Sequence, residues 1–466
     1  MVGAAGPVVS HMSHPLIALV DIGKTNAKLC VIDPETGTEL RGSRRANAVI
    51  QGARTRELDV AAIGQWLLDA LRDAPHRDRI RVIVPVAHGA AAVLLDRDNR
   101  VLVAPDYEDA CFERVNAAYR QQRDAYQETY SPDLPLGLNL GRQLFFLHEE
   151  QPQLFAQAAH ALLYPQYWAW RLSGVLASEV TSLGCHSDLW LPGQASFSKL
   201  AQSRGWDTLF PPRKLASDVL GPISAEVAAA TGLDPKCQVT CGIHDSNASY
   251  LKFLIARDRN EPFTVISSGT WSVVMANRAN LSQLREDRDM LASVDAFGSP
   301  VATARFMGGR EYEAIAGTDT RPNMPALLNV IERQAMALPA FASGGPFAGR
   351  EGRLVNADKL SGSERASVAT LYVALMCELL IEMLGADGDV LIDGPLATNP
   401  LFGSVLGALL PSRAVLLSPG DGGNTRAACY LAGFHDAPTQ AMTATAPAQL
   451  NALPAYRAAW RKQILA

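Results

Sequence analysis

The sequence has no block of basic residues, no C-x-x-C pair and no uninterrupted apolar run near the roughly 20 residues that cross a bilayer. Its start also lacks the basic-then-apolar order of a secretory signal. Each absence excludes something. Without a basic stripe, and with a net charge of -5, neither nucleic acid nor an anionic membrane is the expected partner. Seven cysteines, an odd number and scattered, suit a reducing compartment rather than a disulfide framework. The expected location is therefore the cytoplasm and the expected partner a small molecule; a homodimer is left open.

What remains is ordinary globular material, 48% hydrophobic and 19% charged, and 466 residues exceed what one core usually serves. Two domains of about 200 residues each are expected. Residues 1–11 read as an expression remnant ahead of Met12, and the remainder divides into 12–247, 248–450 and a helical tail at 451–466. Cys237 and Cys241 flank a predicted strand, CQVTCG, where four steps separate them by roughly 13 Å, too far for one zinc. They read as buried thiols.

From Leu16, LIALVDIGKTNAKLCVID reads as strand, tight turn and strand, and TELRGSRRAN as a third strand. A helix over LDVAAIGQWLLDALRDA and an apolar strand, IRVIVPVAHG, follow. The stretch QLFFLHEEQPQLFAQAAHALLYPQYWAWRLSG reads as two helical segments parted near Pro165. FTVISSGTWSVVMAN then repeats the opening plan, with Gly269 aligned on Gly23. SERASVATLYVALMCELLIEML reads as a long amphipathic helix. DVLIDGPLATNPLFGSVLGALL and AVLLSPGDGGNTRAACYLAGF read as two strand-loop-helix units. Ligands bind where such strands hand over to helices.

Three constellations carry chemistry. In the first hairpin, Gly23, Lys24, Thr25 and Asn26 bring backbone N–H groups and polar side chains to a turn suited to polyphosphate, with Asp21 placed to hold hydrated Mg²⁺ and Lys28 beyond the turn. An ordinary polar turn has the same composition. GKT is not a P-loop, because Ala18 stands where that motif requires Gly. Ser267, Ser268, Gly269 and Thr270 form the matching turn of the second half. In GIHDSNASYLKFL a strand ends at Gly242, and Asp245 or Ser246 either caps the following helix or, for Asp245, serves as a general base. His88, at the end of its strand, is a ligand-side group or a satisfied core histidine.

In this order, DIGKTNAK, HGAAAVLLDRDNRVLVAP, LLYPQYWAWRLSG, SEVTSLG, GIHDSNA, SSGTWS and DGPLATNP resemble the motifs of the FGGY family of carbohydrate kinases. The resemblance runs from about Leu16 to Phe434. It implies two ribonuclease-H-like domains of the actin, sugar kinase and Hsp70 type around a central cleft, with ATP and Mg²⁺ as cofactors. The implied activity is phosphorylation of a hydroxyl of a small keto-sugar, a ketopentose or a 6-deoxyketohexose such as L-rhamnulose or L-fuculose. A polyol acceptor, or an ATPase without a sugar acceptor, is the alternative. The implied base is Asp245, the sugar-side groups His88, His244 and Asp245, and the metal ligands Asp21 and Asp245. The implied nucleotide contacts are Gly23, Lys24, Thr25, Asn26, Gly269, Thr270, Gly309, Gly394, Pro395 and Asn399. Lys24, Pro395 and the YEDAC segment from Tyr107 to Cys111 depart from the family pattern.

Overall fold

The computed structural model describes residues 14–317, 321–418, 420, 423–438 and 441–465, so the remnant read at 1–11 lies outside the described residues. The first sheet grows from the meander β1 (Leu16–Ile22), β2 (Asn26–Asp33) and β3 (Thr38–Ala46). After helix α1 (Val60–Arg72) the chain enters β4 (Ile80–Ala87), which lies parallel to β1. β1 is buried along its length because it sits mid-sheet with helices on both faces, which accounts for its unbroken apolar run.

Between β4 and the rest of this sheet an insertion forms a three-stranded sheet from β5 (Ala92–Leu95), β6 (Val101–Val103) and β7 (His160–Leu163). The strand β7 corrects the helical reading of HALL. It pairs antiparallel with β5, Ala92 opposite Leu163, and tertiary pairing decides a short apolar run that has no period of its own. Pro165 lies in the first turn of α2 (Tyr164–Ser173), where its missing N–H has no intrahelical partner to lose, so it opens a helix instead of dividing one. The sheet is completed by β8 (Val219–Pro222), β9 (Gln238–Thr240) and β10 (Ile243–His244), in the order β8-β9-β4-β1-β2-β3 with β10 also on β4. Cys237 and Cys241, at the ends of β9, are buried thiols, as expected.

Helix α3 (Asp245–Ala256) carries the chain to the second sheet. A boundary between residues 247 and 248 falls inside it. The second meander is β11 (Phe263–Ser268), β12 (Ser272–Asn277) and, past edge strand β13 (Met290–Val294), β14 (Pro300–Phe306). Helices α4 (Gly308–Ala316) and α5 (Gly362–Met383) follow, then β15 (Asp389–Asp393), α6 (Phe402–Leu409), β16 (Val415–Leu417), α7 (Gly423–Leu431), β17 (Thr443–Ala444) and α8 (Leu453–Leu465). The order β13-β14-β12-β11-β15-β16-β17 reproduces the first sheet strand for strand, with β13 added at one edge. β11 lies antiparallel to β12 and parallel to β15, as β1 does to β2 and β4.

The expected amphipathic helix α5 is instead buried on all sides from Ala366 to Ile381, after a capping box of Ser361 and Glu364. It is also long and apolar enough to cross a membrane, although Glu378 interrupts its apolar run. Yet 89% of its most apolar window is buried, so it is the core helix of the second half. The terminal helix α8 joins that core through Tyr456, Trp460 and Ile464 rather than trailing as a tail. Helices α3 and α7 lie between the two sheets, where Tyr250 and Leu251 of α3 and Ala427 of α7 meet Leu19 and Val84 on one side and Val265 and Leu391 on the other.

Candidate active site

The C-terminal ends of β1, β4, β10, β11 and β15 bring together the segments singled out from sequence. At the end of β1, Asp21 receives a hydrogen bond from Asn424 Nδ2 (3.0 Å), and Ser249 Oγ donates to Asn424 Oδ1 (3.2 Å). Burial first, and then the charge of Asp245, push the Asp21 carboxyl up to about 6. The turn is closed by Gly23 N–H donating to Asn26 O (2.9 Å) and held by Asn47, whose Nδ2 donates to Gly23 O (2.8 Å) and whose backbone N–H donates to Thr25 O (2.8 Å). A cavity of about 580 Å³ opens here, bounded by Asp21, Gly23, Thr25, Asn26, Asp245 and Ser267 among others.

Asp245 is the first residue of α3, not its cap. The cap position is His244, whose side chain makes no capping bond, and Asp245 Oδ1 accepts from its neighbour Ser246 N–H (2.6 Å). His244 Nε2 lies 3.2 Å from Asp245 Oδ1. The segment SEVTSLG holds this junction in place. Thr181 Oγ1 accepts from His244 N–H (3.0 Å), while Glu179 accepts from both Thr181 N–H (2.9 Å) and Thr181 Oγ1 (2.5 Å). Glu179 is fully buried, and that burial pushes its carboxyl up to about 8. At Gly89 any Cβ would stand 2.6 Å from His244 Nε2, so only glycine lets the β4 loop pass this ring. His88 is buried against Tyr164 and Tyr107, with ring centroids 4.7 and 5.7 Å away, and burial lowers its pKa.

On the other side of β11 the second turn is closed by Gly269 N–H donating to Trp271 O (2.9 Å). Gly309, at the start of α4, donates its N–H to Thr270 O (3.2 Å), and a Cβ there would fall on the Gly269 carbonyl. Ser268 Oγ donates to Asp393 O (2.5 Å) and accepts from Leu396 N–H (3.0 Å), pinning the Gly394–Asn399 loop to the turn. Gly394 has φ +78° and no room for a Cβ against the Ser268 carbonyl. A second cavity, of about 760 Å³, is lined by Gly269, Thr270, Gly309, Tyr312, Pro395 and Asn399, among others.

Two expectations change. Lys24 does not line the first cavity with its turn neighbours; it is turned toward Asp106, with which it pairs, because a buried carboxylate needs a cation. Asn399 lines the second cavity, but its amide is committed to the frame. Its Nδ2 donates to Thr370 Oγ1 (3.1 Å), and its Oδ1 accepts from Leu401 and Phe402 N–H (3.0 and 3.1 Å). Sequence reading missed Asn47, Ser249, Asn424 and Arg44, whose Nε donates to Asn26 Oδ1 (3.2 Å). Asn424 and Ser249 carried a signal, from their places at strand-to-helix junctions.

The chain's two halves match two family models, the FGGY N-terminal domain over residues 16–251 and the carbohydrate kinase FGGY C-terminal domain over residues 260–441. A carbohydrate kinase from Novosphingobium aromaticivorans is 36% identical, with a TM-score of 0.89 over 97% of this chain and 99% of that one. A rhamnulokinase of Pectobacterium carotovorum is 27% identical over 344 residues, 70% of this chain and 66% of its own length. Xylulose kinase of Lactobacillus acidophilus, 16% identical over 97% of this chain and 96% of its own, shares the fold with a TM-score of 0.74. The duplicated sheets are thus those of the two-domain, actin-like sugar kinase fold, and the chain belongs to the FGGY family of carbohydrate kinases.

Proposed function

We propose that the protein transfers the γ-phosphoryl group of Mg·ATP to a hydroxyl of a small keto-sugar, a ketopentose or a 6-deoxyketohexose, with Asp245 as the general base. One observation carries this reading: Asp245 and Asp21 face one cavity bounded by both halves, with Gly23, Thr25 and Asn26 on one side and Ser267 on the other. Among the described residues no three His, Cys, Asp or Glu side chains form a metal cluster. Two carboxylates beside a phosphate site are what a magnesium ion uses, since it keeps several waters and borrows the rest of its ligands from phosphate. Asp21 is raised first by burial and then by the charge of Asp245, and such a cation would relieve the second of these. When bound, it would neutralise charge on the phosphates, with Asp21 and Asp245 as its holders.

Asp245 then receives the proton of the acceptor hydroxyl as the new O–P bond forms and the bond to the leaving ADP oxygen breaks. A carboxylate is a weak base toward an alcohol, so this transfer comes late, when bonding to phosphorus has made the hydroxyl acidic. His244, 3.2 Å away, orients the carboxylate, and His88 belongs to the acceptor side. The loop from Gly394 to Pro395 borders the nucleotide cavity, where the backbone of a glycine lets a flat base approach. The test is ADP release with ATP alone and with a panel of ketopentoses, 6-deoxyketohexoses and polyols. Stimulation by a ketose supports the reading; release that ignores every acceptor, or follows polyols alone, refutes it.

A further inference from the structure

Lys24 stands where the family pattern usually carries a small hydroxyl residue, and it faces a second departure, the YEDAC segment. Its ammonium pairs with Asp106, which is wholly buried, and lies 3.5 Å from Glu108 Oε2 and 5.0 Å from the centroid of the Tyr107 ring. Arg56 Nη2 approaches the other Asp106 oxygen at 3.0 Å, and Glu108 N–H donates to Asp106 Oδ1 (3.1 Å). Tyr107 in turn packs edge-on against His88. The side chain of Lys24 is 15% exposed. It therefore leaves the phosphate turn and ends beside the His88 wall. An ammonium has three N–H donors, and among the described residues two carboxylates are its oxygen partners, so one donor stays available.

We propose that Lys24 is an acceptor-site residue, whose ammonium, fixed by Asp106 and Glu108 over Tyr107, donates to a hydroxyl of a neutral polyhydroxylated acceptor and disfavours carboxylated ones. This rests on the kinase reading above. The preference for a neutral acceptor follows from the charges around Lys24 itself: its ammonium and Arg56 are balanced by Asp106 and Glu108, so the position offers a carboxylate no net positive charge. A carboxylate placed there would meet Asp106 and Glu108 with the Lys24 ammonium already paired to both. A lone, unpaired lysine in the same place would have attracted it.

The experiment uses the full chain and the neutral ketose that gives the fastest ADP release, with gluconate as the carboxylated probe. Steady-state KM values for acceptor and ATP, and calorimetric ATP affinity without acceptor, are measured for wild type, Lys24→Met and Lys24→Gln. Loss of a charged hydrogen bond predicts an acceptor KM raised about 10-fold or more in Lys24→Met, less in Lys24→Gln, with ATP affinity unchanged within about twofold. Because Lys24→Met leaves the buried Asp106 with Arg56 as its remaining cation, the double variant Lys24→Met/Asp106→Leu, which removes both charges of the Lys24 pair, is measured beside it and is expected to show the same acceptor defect. Lost ATP affinity with an unchanged acceptor KM overturns the proposal, as does an unchanged KM for both, or gluconate turned over as well as the ketose. Wild type lacking acceptor-dependent ADP release refutes the kinase reading itself, and this proposal with it.

Discussion

Replacing Asp245 with Asn separates chemistry from structure. The amide keeps an oxygen that can accept from Ser246 N–H and from His244, so the α3 junction retains its bonds. Asp245 is also not the helix cap, so what the fold loses is one carboxylate near a helix N-terminus, about 0.3 to 1 kcal/mol. The charge of Asp245 is one of the forces holding Asp21 up. Its removal leaves Asp21 more readily ionised, so a slow variant cannot be blamed on a neutralised Asp21. Loss of a general base costs about 10² to 10⁴ in rate, or roughly 3 to 5 kcal/mol at about 1.36 kcal/mol per decade. The assay is turnover number by coupled ADP release, with the thermal midpoint taken on the same preparation. A loss of about a hundredfold or more with a midpoint within a few degrees of wild type is expected. Turnover within about tenfold of wild type refutes the base assignment, because it falls below the range of general-base catalysis.

Two further outcomes follow from bonds described above. Ser268→Ala unpins the Gly394 loop by removing one donated and one accepted hydrogen bond. At about 1 kcal/mol each, it raises KM for ATP roughly tenfold or more while acceptor KM stays put; the reverse pattern rules out a nucleotide-side role. Glu179 titrates near 8 in the fold against 4.5 as a free side chain, so between those values the folded state holds a proton that the unfolded state has lost. Stability therefore falls as pH rises through this window and levels off above about 8. Asp21 and Asp188, each near 6, act in the same sense at lower pH, and Cys185, held down to about 6 against its burial by His186 and His244, acts in the opposite sense between 6.5 and 8, so the Glu179 contribution is read as the difference between wild type and Glu179→Gln over that window. Urea midpoints of Glu179→Gln should lose up to about 1.4 kcal/mol per pH unit of that slope, and a slope equal to wild type's excludes the assignment.

The duplication was legible because its signal is local: an apolar strand, a glycine turn and a second strand, twice over. The segment around Asp245 was legible for the same reason, as was the loop at Gly394. What escaped is carried by contacts between distant residues. Lys24 meets Asp106 82 positions away, His244 depends on Thr181 63 positions back, and Asn424 reaches Asp21 across 403. A lysine on a turn after glycine reads as a phosphate ligand until the buried acid that claims it is placed beside it. The strand β7 escaped because three apolar residues after a histidine, just before a proline-started helix, have no period by which to tell strand from helix.

The apolar layer of α3 and α7 is shared by both sheets, so the halves have a common hinge-pin rather than a tether. The halves also meet where Tyr126 OH donates to Met290 O and Asp133 N–H to Glu286, and an opening that keeps the α3–α7 layer packed would turn about that layer, with displacement growing with distance from it. Asp245 sits at the start of α3, almost on the axis. Such a turn would leave the base nearly still while acceptor and nucleotide were brought toward it. Spin labels on the β6 edge and on α4 should approach each other when both ligands bind, with little change between labels near either end of α3; equal displacement everywhere would mean that the layer is not the pivot.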